Sequence, residues 1–201
     1  MIKKIILYSL FSLFIFSSIY FFLNKDYYQN TTVQKIENQE ALPGGHFKLI
    51  KQDGTVFDSE ISNKLMLIYF GFTYCPDVCP TTLIKMADVI DRLGDDALKV
   101  NSIFISVDPE RDNVEIINDY VSAFHNQIIG LTGNEEQISN VAKDWGVYYQ
   151  KEFIDGSAEY TVNHLDIIFL ANANGEFIDF FPPKIQSALI VEKVRNLIKG
   201  D

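Results

Sequence analysis

The run Leu65-Met66-Leu67-Ile68-Tyr69-Phe70 is apolar on nearly every residue and stops at Gly71. A strand with one wet face alternates polar and apolar residues, so a strand without a polar face must be central in its sheet and covered on both sides. That requirement selects a layered α/β architecture. The next segment agrees with it. From Pro80 to Leu93 the apolar residues fall at 83, 84, 86, 87, 90 and 93, a helical stripe. Pro80 suits the first helical position, and Gly94 suits the C-terminal cap. Both cysteines of the chain, Cys75 and Cys79, lie between this strand and this helix.

The remaining elements can be read in order. His46–Ile50 and Thr55–Phe57 flank the turn Asp53-Gly54 and form a hairpin. Val100–Val107 is the next strand, and Asp112 with Glu115 resembles a capping box for a helix running to about His125. Ile128–Leu131 is a short strand, and Asn134 with Gln137 starts a helix that stops at Gly146. Val147–Gln150 and Tyr160–Val162 are strand-like. Leu165–Leu170 is an apolar strand, the turn Asn172–Gly175 follows, and Glu176–Phe181 is its hairpin partner. Ile185–Lys199 is a last helix, with Lys193, Arg195 and Lys199 near the end that the helix dipole makes negative. Parallel crossovers followed by an antiparallel pair give a mixed sheet flanked by helices. With cysteines at the end of the first central strand, this order resembles the thioredoxin-like fold, a likeness of pattern rather than a derivation.

Ahead of this domain the chain is uncharged from Ile5 to Leu23. At about 1.5 Å per residue the segment reaches about 28 Å, close to a hydrocarbon core of about 30 Å. It is longer than the apolar part of a secretory signal, and no small-residue cleavage motif follows, so an uncleaved anchor is expected rather than a removed signal peptide. Lys3 and Lys4 place the N-terminus in the cytoplasm and the rest of the chain outside. The expected organisation is therefore a cytoplasmic tail (1–4), a transmembrane helix (5–23), a polar linker (24–42) and one thioredoxin-like domain (43–201). The formal net charge of −10 argues against nucleic acid, whose phosphates need a basic face.

Two cysteines in an exported domain could form a disulfide. As a staple it would close a very small loop and contribute about 2 kcal/mol, which a domain of this size hardly needs. With Pro80 opening the helix, Cys79 is expected at its N-cap, where unpaired N–H groups lower a thiol pKa. Asp77, between the sulfurs, acts the other way unless it is simply a turn-former. The two effects are of similar size. Three residues separate the cysteines rather than the two of a thioredoxin redox pair, and Pro76 stiffens the loop. Two such sulfurs can converge on one metal or close a disulfide. Two thiolates with an imidazole form a soft site suited to copper or zinc, but the pair alone is a weak metal signal.

The histidines are His46, at the domain entrance, His125, near a helix C-terminus, and His164, which opens the strongest late strand. A histidine at a strand end is commonly structural. The segments Gly44–Leu49, Tyr69–Pro80, Ile105-Ser106-Val107-Asp108-Pro109-Glu110-Arg111-Asp112, Gly130–Gly133 and Val162-Asn163-His164 change that reading, because together they resemble the Sco/SenC family. The resemblance runs from about Gly44 to the C-terminus. It implies a membrane-tethered, thioredoxin-like copper protein that helps assemble the copper A centre of cytochrome c oxidase. It also implies Cys75, Cys79 and His164 as ligands of copper, as Cu(I) and/or Cu(II). The expected partner is the copper-bearing subunit of that oxidase or another copper protein. The expected location is the bacterial inner membrane with the domain in the periplasm, or alternatively the mitochondrial inner membrane facing the intermembrane space.

The chain departs from the family pattern beside the histidine, where Asn163 and Leu165 stand in place of Asp and Ser or Thr. Metal-bound histidines usually lean on a hydrogen-bond acceptor, and Asp166 would share the face of His164 on a continuing strand. No proline precedes that strand, whereas thioredoxins carry one there, which favours metal over disulfide exchange. Two functions follow. The first is a copper metallochaperone using all three residues. The second is a thiol:disulfide oxidoreductase that needs only Cys75 and Cys79 and would reduce a partner's copper-site cysteines. A peroxiredoxin-like peroxidase is a distant third.

Overall fold

The computed structural model describes residues 42–154, 156–157 and 159–200. The expected tail, the span at 5–23 and the linker as far as residue 41 lie outside the described residues. Among those described, no helix is long and apolar enough to cross a membrane.

The domain opens with a hairpin of β1 (Lys48–Lys51) and β2 (Val56–Asp58). Its turn is held by Asp53, whose Oδ1 accepts from the backbone and the hydroxyl of Thr55 at 2.9 and 2.6 Å. The apolar run forms β3 (Leu65–Gly71), buried from Met66 onward. Helix α1 (Val78–Leu93) follows, then β4 (Val100–Ser106), α2 (Val114–Ser122), β5 (Ile128–Thr132) and α3 (Glu135–Asp144). Next come β6 (Tyr149–Phe153), β7 (Tyr160–His164), β8 (Ile168–Ala171), β9 (Phe177–Phe181) and α4 (Ser187–Lys199).

Seven strands form one mixed sheet in the order β2-β1-β5-β4-β3-β8-β9. The central strands β3, β4 and β5 are parallel, and β1 and β8 flank them antiparallel. As an all-apolar sequence demands, β3 sits between β4 and β8, with Ile68 facing Ile103 on one side and Phe169 on the other. Helices α1 and α4 pack together, and α2 lies along β5. The α/β, thioredoxin-like mixed sheet expected from the sequence is therefore present in the described residues.

Three local expectations are corrected. Helix α1 begins at Val78 with Asp77 as its cap, so Cys79 lies inside the first turn and Pro80 is the third helical residue. Proline is tolerated there because first-turn N–H groups have no acceptor within the helix. The helix starts through Asp77's carbonyl, which accepts from the Thr81 hydroxyl at 3.1 Å, while Asp77's own carboxylate caps nothing. Second, α2 is capped by Asn113, whose side chain accepts from Ile116 N–H at 2.9 Å, and the helix ends at Ser122, short of His125. Asp112 is instead fully buried. Third, β6 and β7 do not join the main sheet. They pair with each other, Tyr149 opposite His164, so His164 ends a separate hairpin rather than opening β8. The alternating burial of β7 marks a strand with one wet face, whereas β8 is buried throughout. The capping box at Asn134 and Gln137 is formed as expected.

Gly130 is buried on β5, where a Cβ would collide with Ile117 and press Val121 on α2. Gly130→Ala is expected to lower stability by about 1–3 kcal/mol through overpacking. The denaturant midpoint should fall with an unchanged slope.

Candidate metal centre

The cysteine loop leaves β3 at Gly71. It is tied to the neighbouring strand by Val107 N–H, which donates to the Gly71 carbonyl at 2.8 Å. It is also tied by Asp112. That carboxylate accepts from the Thr73 backbone at 2.9 Å, from the Thr73 hydroxyl at 2.5 Å and from the Ser106 hydroxyl at 2.5 Å. Burial pushes the Asp112 carboxyl up, and the hydrogen bonds pull against that. The loop then turns, with Cys75 N–H donating to the Phe72 carbonyl at 3.3 Å. Gly71 is required by close approach, since a Cβ there would lie 2.8 Å from Cys79 Sγ and 2.9 Å from the Phe104 ring.

His164 arrives from β7 and sets its ring edge-on to Phe72 and Tyr69, with centroids 5.7 and 6.1 Å apart. Its Nε2 lies 3.3 Å from Cys79 Sγ. Its Nδ1 lies 3.3 Å from the Leu165 carbonyl. The tautomer protonated at Nδ1 donates to that carbonyl and offers its Nε2 lone pair to a metal, whereas a proton on Nε2 is donated to the sulfurs. The expected helper, Asp166, is not the partner, because its carboxylate accepts from the Thr82 hydroxyl at 2.9 Å. The Asn163 side chain turns away to Glu152. The chain has left β7 by Leu165, so the period of two that would have aligned Asp166 with His164 no longer holds.

The sequence-predicted trio therefore comes together. The ligand atoms of Cys75, Cys79 and His164 all lie within 4.8 Å of one another. Any such triangle has a point no more than about 2.8 Å from every corner, so a small contraction reaches a metal–sulfur bond of about 2.3 Å. Both thiols are free. Cys79 is fully buried, Cys75 nearly so, and His164 is part-exposed. His46 is exposed, and His125 pairs with Asp91 at 3.4 Å, so neither belongs to this centre.

The electrostatics of the pair decide a balance that the sequence leaves open. The thiol pulled down is Cys75, chiefly because Cys79 donates to it, with His164 and the backbone N–H groups of Asp77 and Cys79 adding to the effect. The Cys79 thiol is pushed up by that same bond and by its burial. The helix N-terminus thus faces the cysteine ahead of it rather than the one within its first turn. One proton held between two sulfurs leaves one thiolate and one thiol. A soft cation that displaced that proton would gain both sulfurs as donors.

Fold and site together define a thioredoxin-like domain with a soft centre of two sulfurs and one imidazole. The chain belongs to the SCO1/SenC family, whose profile matches residues 35–199. It is 42% identical over 144 residues to "Protein SCO1 homolog 1, mitochondrial" of Arabidopsis thaliana, matching 71% of this chain and 43% of that protein. It is 41% identical over 140 residues to "SCO2-like protein" of Rickettsia felis, matching 69% of this chain and 68% of that one. The crystal structure of Arabidopsis thaliana ScoI with copper bound superposes with a TM-score of 0.72 at 38% identity, over 79% of this chain and 99% of that one.

In the reduced, metal-free protein, thiolate absorbance is expected to persist well below the ordinary thiol pKa of about 8.5. Cys79→Ala removes the donor and should raise the pKa of Cys75 toward that value. Loss of the low-pH thiolate in Cys75→Ala, together with its shift toward the ordinary thiol range in Cys79→Ala, supports the assignment. A low-pH thiolate that persists in Cys75→Ala refutes it.

Proposed function

We propose that this chain is a copper metallochaperone in which Cys75, Cys79 and His164 hold one copper ion for delivery. The observation that carries this reading is the convergence of two sulfurs and an imidazole, from distant parts of the chain, within 4.8 Å. The donor chemistry supports copper, since thiolates select Cu(I) and an imidazole suits either oxidation state. The copper in the Arabidopsis ScoI structure supports it as well. Copper here is cargo. Cys75 and His164 lie nearer the surface than Cys79, so an acceptor's thiols approach from their side and exchange with those ligands first. The acceptor is the copper-bearing subunit of cytochrome c oxidase or another copper protein.

The uncharged segment 5–23, with Lys3 and Lys4 before it, supports a single-pass anchor that keeps the domain in the periplasm, or in the intermembrane space of a mitochondrion. Residues 24–42 serve as the linker and 43–201 as the copper-binding domain. The second reading, a thiol:disulfide oxidoreductase, is favoured by one observation: two free thiols whose sulfurs lie within 4.8 Å, with the Cys75 thiol held low.

Copper titration of His164→Ala separates the two readings. The variant is expected to lose Cu(II) affinity by more than the roughly 100-fold that removing an outer partner of a ligand can cost. Unchanged affinity for both Cu(I) and Cu(II), with full reductase activity on a copper-site peptide, would establish the oxidoreductase instead.

A further inference from the structure

His164 reaches the sulfurs from a two-stranded sheet that shares no strand pairing with the sheet behind Cys75 and Cys79. Something other than a backbone ladder must fix the distance between them, and Arg111 spans that gap. Its Nη1 donates to the Tyr160 carbonyl at 2.9 Å, and its Nε donates to Asp108. Its guanidinium carbon lies 3.7 Å from the centroid of the Tyr160 ring and 4.8 Å from that of Tyr74. The Tyr160 hydroxyl donates to Asp108 Oδ1 at 2.8 Å, and Asp108 is fully buried. Tyr160 begins β7, the strand that His164 ends, while Tyr74 precedes Cys75. One side chain therefore touches both ligand-bearing segments.

The chemistry suits an arginine. A planar guanidinium can stack on aromatic rings while donating in its own plane, which an ammonium cannot. The outer contacts are weaker. Lys151 pairs with Glu110 at 2.6 Å and lies over Tyr160, but both partners are substantially exposed and screened.

We propose that Arg111 is a positioning residue for His164, latching the β6–β7 hairpin to the cysteine loop through Tyr160, Asp108 and Tyr74. This rests on the proposed role of His164 as a copper ligand. Loss of the latch lets the imidazole drift while both sulfurs stay in place. Two thiolates still hold Cu(I), whereas Cu(II) depends more on the nitrogen donor. The signature is thus selective between oxidation states, which a general loss of stability would not be.

The test uses the full-length reduced chain, with Cu(I) read by competition against a chromophoric chelator and Cu(II) by its thiolate-to-copper absorption. For Arg111→Ala, Cu(II) affinity is expected to fall about 10-fold or more while Cu(I) affinity stays within about 3-fold. Arg111→Lys keeps the charge but not the planar fork, and is expected to follow Arg111→Ala. Should Arg111→Ala not fold, Arg111→Lys and Tyr160→Phe, which drops only the hydroxyl's bonds to Asp108 and Glu110, carry the test. Parent-like Cu(II) binding in the folded variants overturns the latch. So does an equal fall for Cu(I) and Cu(II) that tracks a lowered Tm. If His164→Ala also binds Cu(II) like the parent, the ligand assignment falls and the latch with it. If His164→Ala loses Cu(II) and the Arg111 variants do not, the latch alone is wrong.

Discussion

Asp112 is wholly buried, and its carboxylate accepts three hydrogen bonds, two from Thr73 and one from Ser106. An unpaired carboxylate at that depth would cost several kcal/mol, so the bonds are a condition of the group being there. They join the cysteine loop to the end of β4. Ser106 also accepts from the Asp108 N–H, which fixes the start of the same turn. The rigidity of the sulfur positions comes from this buried polar network rather than from the loop's own sequence. Low surrounding dielectric strengthens such a network when every member is satisfied.

The fold was legible where one force dominates. The apolar run of β3 required a central strand, and the stripe after Pro80 required a helix against it. Strand β8 was readable for the same reason. Elements whose place depends on a distant partner were not. The strands β6 and β7 have the composition of any short edge strand, and nothing local says that they pair with each other and leave the main sheet. Asp112 is an acceptable helix cap by its spacing to Glu115. Only the fold brings Thr73 and Ser106 to it, leaving Asn113 to cap α2.

The site divides along the same line. Cys75 and Cys79 stand out because they are four residues apart at a strand-to-helix junction. His164 could be chosen among the histidines only through the family pattern. Its support by the Leu165 carbonyl could not be read at all, since a backbone group carries no sequence signal. Which thiol ionises stayed open in the sequence, because it turns on the contact between the two sulfurs. Arg111 was visible as part of a motif, but its partners Tyr74 and Tyr160 are far apart in the chain.

The hairpin that carries His164 has one further consequence. Two of the proposed ligands lie in the loop and helix that follow β3 and one on the small sheet, so an ion bound by all three would act as a cross-link between parts that share no strand pairing. Binding energy would then appear as local stability, confined to the part that opens most easily. Amide exchange in Tyr149–Phe153 and Tyr160–His164 would slow when cargo is aboard, while β3 and β4 would hardly change. A receptor touching that hairpin would feel a stiff surface when the carrier is full and a yielding one when it is empty, and could tell the two apart without contacting the metal.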